Sequence, residues 1–150
     1  MVIGINAYSD PEYEPLTGAV SDADAVSEFL VNNLRADPNH IRNLRDGEAT
    51  RNAIIGAMKL LEGDNRIKKD DPIIIYFAGH GARTPRPPEW QDWVSQDAMI
   101  EMICPVDLGT EKAHTDGESQ NVPVPGIPDR TVGALLNKLS EAKGNNIVSF

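Results

Sequence analysis

Apolar residues divide the first half of the chain into strands that alternate with helices. Residues 1–8 and 41–44 predict short strands, and the apolar run 73–77 predicts a strand buried on both faces. Two segments between them carry apolar residues at helical spacing. These positions are Ala19, Ala23, Val26, Leu30 and Leu34 in the first helix, and Ile54, Ala57, Met58 and Leu61 in the second. Such alternation predicts a parallel sheet with right-handed crossovers and helices on its faces.

Polar residues at the ends of these segments predict where the helices begin. Ser21 is expected to cap the first helix, with the carboxylates of Asp22 and Asp24 in its first turn. Thr50 is expected to cap the second helix. The first helix should end before residues 37–39, because that segment contains a proline.

The region after residue 83 is less regular. Residues 84–93 contain prolines and both tryptophans, which predicts a semi-rigid flap beside His80 or a surface loop anchored by its aromatic rings. Residues 99–104 predict a short strand. Residues 109–128 are rich in Gly, Pro and charged residues without periodicity, and predict an exposed loop.

A third helix and a last strand complete the predicted fold. Asp129 is expected to cap this helix, and residues 146–150 form the strand. The apolar face of the helix consists of Val132, Leu135, Leu136 and Leu139. Because both chain ends fall inside predicted strands, we expect residues 1–150 to be a fragment: the N-terminal part of one domain of a longer protein.

Composition and charge limit the location and the class of partner. The chain has 150 residues, of which 40% are hydrophobic and 25% charged, as in one soluble globular domain. Its net charge of -9 argues against nucleic acid and anionic membranes as partners, and we find no membrane-spanning run or signal peptide. Cys104 is the sole cysteine, which excludes an internal disulfide and predicts a reducing, cytoplasmic compartment.

His80 is the first candidate for chemistry. It lies between two glycines where the strand 73–77 ends, and open α/β sheets bind their ligands at this edge. The glycines leave the imidazole unobstructed and allow close approach of a second backbone. An imidazole placed there can act as a general acid and base, although an isolated histidine in a loop is more often a surface or capping residue.

Several other kinds of site are excluded by the sequence. Neither a glycine-rich phosphate loop nor a Gly-x-Ser-x-Gly elbow occurs. His40, His80 and His114 are scattered and lack metal-ligand spacing with Cys104, so we assign no metal ligand.

Four segments together resemble the caspase-like cysteine peptidases, especially metacaspases and their fungal relatives. Tyr-Phe-Ala-Gly-His-Gly at 76–81 resembles the histidine motif of that family, and Val-Ile-Gly-Ile-Asn-Ala-Tyr at 2–8 its first strand. Residues 16–25 resemble its Leu-x-Gly-x-x-x-Asp-Ala element, and residues 103–107 its Pro-x-Asp segment. The resemblance covers essentially the whole chain and implies a caspase-like three-layer α/β/α sandwich around a mostly parallel sheet.

The resemblance also implies a mechanism, thiolate attack on the scissile peptide bond. In this family the nucleophile lies in an Asp-x-Cys-x-x-Gly motif directly after the next apolar strand, so we expect it beyond Phe150 and expect these 150 residues alone to be inactive. His80 would assist the attack and protonate the leaving amine, and the Gly81 N–H would join the oxyanion hole. Cys104 lies in another segment and is interpreted as a small buried hydrophobe.

Substrate preference and cofactors follow from the same resemblance. Metacaspases cleave after Arg or Lys, and Asp22 matches an aspartate of their acidic primary pocket. Its alternative role is a first-turn carboxylate favoured by the helix dipole. Ala78 replaces the serine that metacaspases often carry two residues before the histidine.

Calcium, which some metacaspases bind, is left open. Asp129 lies near one of the family's ligand positions, but Arg130 follows it where a second acid would be expected. Asp97 and Glu101 offer no clean match, and a hard cation needs several oxygen ligands. No other cofactor is predicted.

Two other functions are left open. The first is a catalytically inactive caspase-like domain with a regulatory or interaction role, which the residues after Phe150 would distinguish from an enzyme. The second is an unrelated α/β domain in which His80 contacts a ligand. For the enzyme, the expected partners are protein or peptide substrates in an apoptosis-like setting, and the oligomeric state is not predicted.

Overall fold

The computed structural model describes residues 1–90, 98–112 and 122–150, which form an α/β fold. Its helices are α1 (Ala19–Asn32), α2 (Arg51–Gly63) and α3 (Asp129–Lys143). The strands of the described residues are β1 (Val2–Gly4), β2 (Asn43–Arg45), β3 (Ile73–Ala78), β4 (Gly81–Pro85), β5 (Met99–Ile103), β6 (Glu111–Lys112), β7 (Val122–Pro123), β8 (Ile127–Pro128) and β9 (Ile147–Ser149).

A parallel sheet with the strand order β2-β1-β3-β9 forms the centre of the molecule. In its register Gly4 lies opposite both Arg45 and Ala78, so the carboxyl ends of the first three strands meet at one edge. A second, antiparallel sheet has the order β4-β5-β8, and β6 pairs with β7. The predicted mostly parallel sheet is therefore confirmed.

Helices cover both faces of the parallel sheet. On one face Ala23 and Leu30 of α1 pack around Val2, next to Ile74 and Tyr76 of β3. On the other face α2 and α3 cover a larger core. Buried members of that core include Ile3, Ile54, Ala57, Ile73, Ile75, Ile127 and Leu139. These three layers confirm the α/β/α sandwich, although the β3 side chains facing α1 are only partly buried. Among the described residues, no helix is long and apolar enough to cross a membrane.

Helix α1 begins earlier than the sequence predicts. Its cap position is Gly18, and the Ser21 hydroxyl donates to the Gly18 carbonyl instead of capping the helix. The side chain of Asn6, in the loop after β1, accepts a hydrogen bond from the Val20 N–H. A residue distant in sequence thus satisfies an unpaired donor at the helix N-terminus. At the other end, Leu34 lies beyond the helix and is 56% exposed, so its predicted place on the apolar face is wrong.

The other two helix starts differ in outcome. Thr50 caps α2 as predicted, because its hydroxyl accepts a hydrogen bond from the Ala53 N–H at 3.2 Å. Asp129 was expected to cap α3 but is its first residue, with Pro128 at the cap position. Its carboxylate accepts from the N–H of Arg130.

The predicted loop at 84–93 is partly wrong, because β4 extends through Pro85. This strand pairs with β5 in the register Gly81–Ile103 to Pro85–Met99. Hydrogen bonds from Cys104 N–H to the His80 carbonyl and from Arg86 N–H to the Ala98 carbonyl flank the ladder. Bonded and non-bonded pairs alternate in an antiparallel ladder. Pro85 therefore occupies a position that donates no ladder bond, which is where an edge strand tolerates proline.

The rest of this region contains a short helical turn and three short strands. Pro88–Trp90 forms a 3-10 turn, and the Trp90 ring lies 5.2 Å from the Arg130 guanidinium carbon. This contact anchors the segment to α3. Trp93 lies outside the described residues. The predicted exposed loop at 109–128 contains β6, β7 and β8, while residues 113–121 are likewise not described.

Candidate catalytic site

His80 lies between the end of β3 and the start of β4, next to the end of β1. β3 stops at Ala78, and β4 begins at Gly81. The Ile5 N–H, just after β1, donates to the Ala78 carbonyl at 2.9 Å. The loop between β1 and α1 therefore starts beside His80, at the carboxyl edge of the parallel sheet.

Three hydrogen bonds from other segments hold His80. Its backbone N–H donates to the Tyr8 hydroxyl at 2.7 Å, and its carbonyl accepts from the Cys104 N–H at 3.0 Å. In the side chain, Nε2 lies 2.7 Å from the Glu14 carbonyl oxygen. The backbone and the ring are thus both fixed by residues remote in sequence.

The contact with Glu14 decides which ring nitrogen carries the proton. A backbone carbonyl can only accept, so Nε2 must be protonated to make this bond. In the neutral ring Nδ1 is then the unprotonated nitrogen, the atom that can accept a proton. Pro15 follows Glu14 and restricts it to extended backbone, which limits the directions available to its carbonyl. Sequence inspection missed this partner, because the contacting atom belongs to the main chain.

Tyr8 supports the imidazole with its ring as well as its hydroxyl. The two ring centroids are 5.0 Å apart at an interplanar angle of 41°, and Tyr13 packs on Tyr8 at 5.8 Å. Burial raises the pKa of Tyr8 to about 12, although the hydrogen bond from the His80 N–H opposes the shift. The hydroxyl is therefore neutral at physiological pH. Tyr8 ends the segment that resembles the first strand of the family, yet that resemblance gave it no role.

The glycines on the two sides of His80 have different surroundings. A Cβ on Gly79 would lie 2.9 Å from both the Tyr8 hydroxyl and Cζ of Phe77, closer than real Cβ atoms approach. On Gly81 the nearest atom would be the Met102 carbonyl oxygen at 3.7 Å, an ordinary contact. A Cβ at 79 would therefore have to displace the ends of the Tyr8 and Phe77 side chains, whereas a Cβ at 81 would fit without any shift.

The backbone of Gly81 has an N–H that the second sheet does not use. Because the adjacent Cys104–His80 pair is hydrogen-bonded, Gly81 and Ile103 form a non-bonded pair of the antiparallel ladder. The Gly81 N–H is consequently directed away from β5. In the described part of that sheet β4 is an edge strand, so this N–H faces the open side.

Asp22 is an exposed residue in the first turn of α1. The hydrogen bond between Val20 and Asn6 places this turn next to the loop after β1, at the same edge of the sheet as His80. Asp22 is nevertheless separate from the hydrogen-bonded cluster around His80. His80 and Gly81 are consecutive residues and share this edge of the sheet, whereas Asp22 lies on a neighbouring element.

Cys104 has the character expected of a buried hydrophobe. Its side chain is fully buried, and burial raises the pKa of its thiol. A protonated, enclosed thiol is a poor nucleophile. The segment that follows it has a structural role: the Val106 carbonyl accepts from the Ser9 N–H, and the buried Asp107 carboxylate accepts from the Arg51 N–H at the start of α2.

In the part of the chain that the structure describes, the positions considered for calcium do not form a metal cluster. Within residues 1–90, 98–112 and 122–150, no group of three or more His, Cys, Asp or Glu side chains could hold a metal ion. Glu101 lies 3.8 Å from the Arg83 guanidinium on the exposed surface of β4 and β5. Asp97 and His114 fall outside the described ranges.

Comparison with known proteins extends these observations. A family model described as the metacaspase, peptidase C14 domain matches residues 1–134. Metacaspase-1B of Aspergillus terreus is 31% identical over 130 residues, which cover 83% of this chain and 32% of the relative. Metacaspase-1B of Aspergillus clavatus is 27% identical over 128 residues, covering 83% and 30%. The chain spans about a third of the length of these curated relatives.

A solved structure supports the fold. The crystal structure of a protein from Geobacter sulfurreducens matches with a TM-score of 0.65 and 20% identity, over 99% of this chain and 46% of that chain. The hypothesis of an unrelated α/β ligand-binding domain is wrong, because the family model covers most of the sequence. The histidine motif at the sheet edge, the α/β/α fold and the family match together show that this chain belongs to the metacaspase family.

Proposed function

We propose that this chain is the histidine-bearing part of a cysteine endopeptidase that hydrolyses protein or peptide substrates. Membership of the peptidase C14 family supports this class of reaction. The observation that carries the proposal is the state of His80. Its Nε2 is held by the Glu14 carbonyl at the carboxyl edge of the sheet, so Nδ1 is available as a base.

The nucleophile in this proposal is a cysteine that follows Phe150 in the full-length protein. β9 lies beside β3, and the Phe77 N–H donates to the Phe150 carbonyl at 3.1 Å. A continuation of β9 in this register would run beside Gly79 and His80. A thiol there would be within reach of the imidazole, whereas the Cys104 thiol is enclosed in the core.

The reaction then proceeds through a thioester. Nδ1 of His80 accepts the thiol proton, and the thiolate sulfur attacks the scissile carbonyl carbon to form a tetrahedral oxyanion. His80 gives the proton to the leaving amine as the C–N bond breaks. Water, deprotonated by the same imidazole, attacks the thioester and releases the acid and the thiol.

Gly81 contributes to this reaction with its backbone. Its N–H is directed away from β5 on an edge strand, where it can donate to the developing oxyanion. The absence of a side chain lets the substrate carbonyl approach that N–H. This explains glycine at a position where the fold itself would accept a Cβ.

A preference for Arg or Lys before the scissile bond is part of the proposal. Asp22 offers an exposed carboxylate at the edge that carries His80, and the net charge of -9 attracts a cationic substrate. A cytoplasmic location remains a prediction from the cysteine content. Calcium has no assigned role in the steps above.

Activity assays on a longer chain, extended past Phe150 through the family's cysteine motif, test the proposal. Peptide amides with Arg, Lys, Ala or Asp before the scissile bond separate activity from preference. We expect His80→Ala to lower kcat/KM by at least about a thousandfold and Asp22→Asn to reduce cleavage after Arg and Lys selectively.

Two cysteine variants provide the matched control. Cys104→Ala should retain peptidase activity, whereas replacement of the cysteine after Phe150 should abolish it. Full activity in His80→Ala would contradict the proposed mechanism. A longer chain that binds but cleaves none of the peptides would instead support the catalytically inactive module.

A further inference from the structure

We propose that Tyr8 is a positioning residue for His80. In this role its hydroxyl fixes the backbone of His80 and its ring supports the imidazole, so that Nδ1 keeps a constant direction toward the scissile bond. The inference rests on the proposed function of His80 as the base. It concerns a residue that does not touch the reacting atoms.

The backbone contact replaces a bond that the sheet would otherwise supply. His80 lies opposite Cys104 in register with the bonded pairs of the antiparallel ladder, and its carbonyl accepts from the Cys104 N–H. Its own N–H instead donates to the Tyr8 hydroxyl at 2.7 Å. A side chain from the loop after β1 thus completes the hydrogen bonding of the residue, and ties His80 to both neighbouring segments.

The position of the hydroxyl also explains Gly79. The place that a Cβ on Gly79 would take lies 2.9 Å from the Tyr8 oxygen, so the hydroxyl can reach the His80 N–H only because residue 79 has no side chain. The aromatic ring continues this contact, with its centroid 5.0 Å from that of the imidazole. Tyr8 therefore touches His80 through the main chain and the side chain.

Tyr8 itself is held from both sides along the chain. The N–H groups of Asn6 and Ala7 donate to the Asp46 carboxylate at 2.7 and 3.0 Å. The Ser9 N–H donates to the Val106 carbonyl at 2.9 Å. Neighbours fixed in this way prevent the Tyr8 backbone from following a movement of the histidine, which is what a positioning residue requires.

Tyr8→Phe separates the hydroxyl from the ring. The variant keeps the aromatic contact and removes only the oxygen that accepts the His80 N–H. Tyr13→Phe is the matched control, because it removes the same atom from the neighbouring ring, which packs on Tyr8 rather than on His80. A role in packing alone would make the two variants similar.

The kinetic test uses the longer, active chain. We expect Tyr8→Phe to lower kcat by about tenfold with KM within about twofold of wild type, because a displaced base slows chemistry without weakening ground-state binding. Tyr13→Phe should leave both constants unchanged. Equal kcat values in wild type and Tyr8→Phe would overturn the inference, even where His80→Ala is inactive and the proposed function stands.

Amide hydrogen exchange of the 150-residue chain gives a readout that does not depend on activity. In wild type the His80 N–H should be protected, and in Tyr8→Phe it should exchange about tenfold faster while the Cys104 N–H is unaffected. Rapid exchange of the His80 N–H in wild type would overturn the inference without any variant. Slow wild-type exchange together with an active His80→Ala enzyme would confirm the contact between Tyr8 and His80 but contradict the proposed function, and with it the positioning role that rests on that function.

Discussion

The two sides of His80 are both occupied by glycine, yet their surroundings are opposite. On one side Gly79 is enclosed by the Tyr8 hydroxyl and the Phe77 ring, so that a single added carbon would collide with both. On the other side Gly81 opens a strand at the edge of the second sheet, with ordinary space beside it. Gly79 leaves room for the Tyr8 hydroxyl to reach the His80 N–H. Gly81 leaves room for the backbone of a substrate to approach its own N–H.

Gly79→Ala should have the largest effect. Its Cβ would overpack a site bounded by Tyr8 and Phe77, which typically costs about 1–3 kcal/mol. We expect the free energy of unfolding of the 150-residue chain to fall by that amount in a denaturant titration. An unchanged midpoint would show that the enclosed side relaxes easily and would remove the distinction between the two glycines.

Gly81→Ala should affect activity rather than stability. Its free energy of unfolding should stay within about 0.5 kcal/mol of wild type, because the added methyl meets only ordinary contacts. In the longer chain kcat/KM should fall by about 10- to 100-fold, since the methyl hinders approach of the substrate carbonyl to the N–H. Loss of stability with full activity would reverse the roles assigned to the two positions.

The smallest expected effect is a dependence of the free energy of unfolding on the Tyr8 hydroxyl, which lies beside Gly79, at alkaline pH. The pKa of Tyr8 is 10.0 in the unfolded reference and about 12 in the fold, because burial disfavours the phenolate. The stability linked to this proton is fully present below pH 10 and is lost as the pH rises through 12. Unfolding free energies measured across this range should fall less steeply in Tyr8→Phe. If the free energy of unfolding fell equally steeply with pH in wild type and Tyr8→Phe, the pH dependence would come from a group other than Tyr8.

Local sequence patterns predicted the main elements of the fold. The apolar run at 73–77 corresponds to β3, and the helical stripe with Thr50 before it corresponds to α2. Each signal lies within a few residues of the structure it predicts. The same kind of local signal predicted the position of His80. An apolar run followed by glycine indicates the end of a buried strand, so the next residue is expected at the edge of the sheet.

Contacts between distant segments account for the errors and omissions. β4 was missed because its sequence, Gly-Ala-Arg-Thr-Pro, has no apolar alternation, and its strand conformation comes from main-chain pairing with β5. The predicted Ser21 cap was wrong because Asn6 reaches the start of α1 from another loop. Two of the three partners of His80 are a hydroxyl and a carbonyl from the loop after β1, and the third is the Cys104 N–H; no local pattern specifies such contacts.

The protonation of the His80 ring can be measured by ¹⁵N NMR on the 150-residue chain, at a pH where the imidazole is neutral. The 2.7 Å contact between Nε2 and the Glu14 carbonyl predicts a protonated Nε2 and an unprotonated Nδ1. This pattern would leave Nδ1 free to accept a proton from a thiol. A protonated Nδ1 in the neutral ring would contradict this account. Nε2 would then carry no proton to donate to the Glu14 carbonyl, and Nδ1 could not accept a proton as the base.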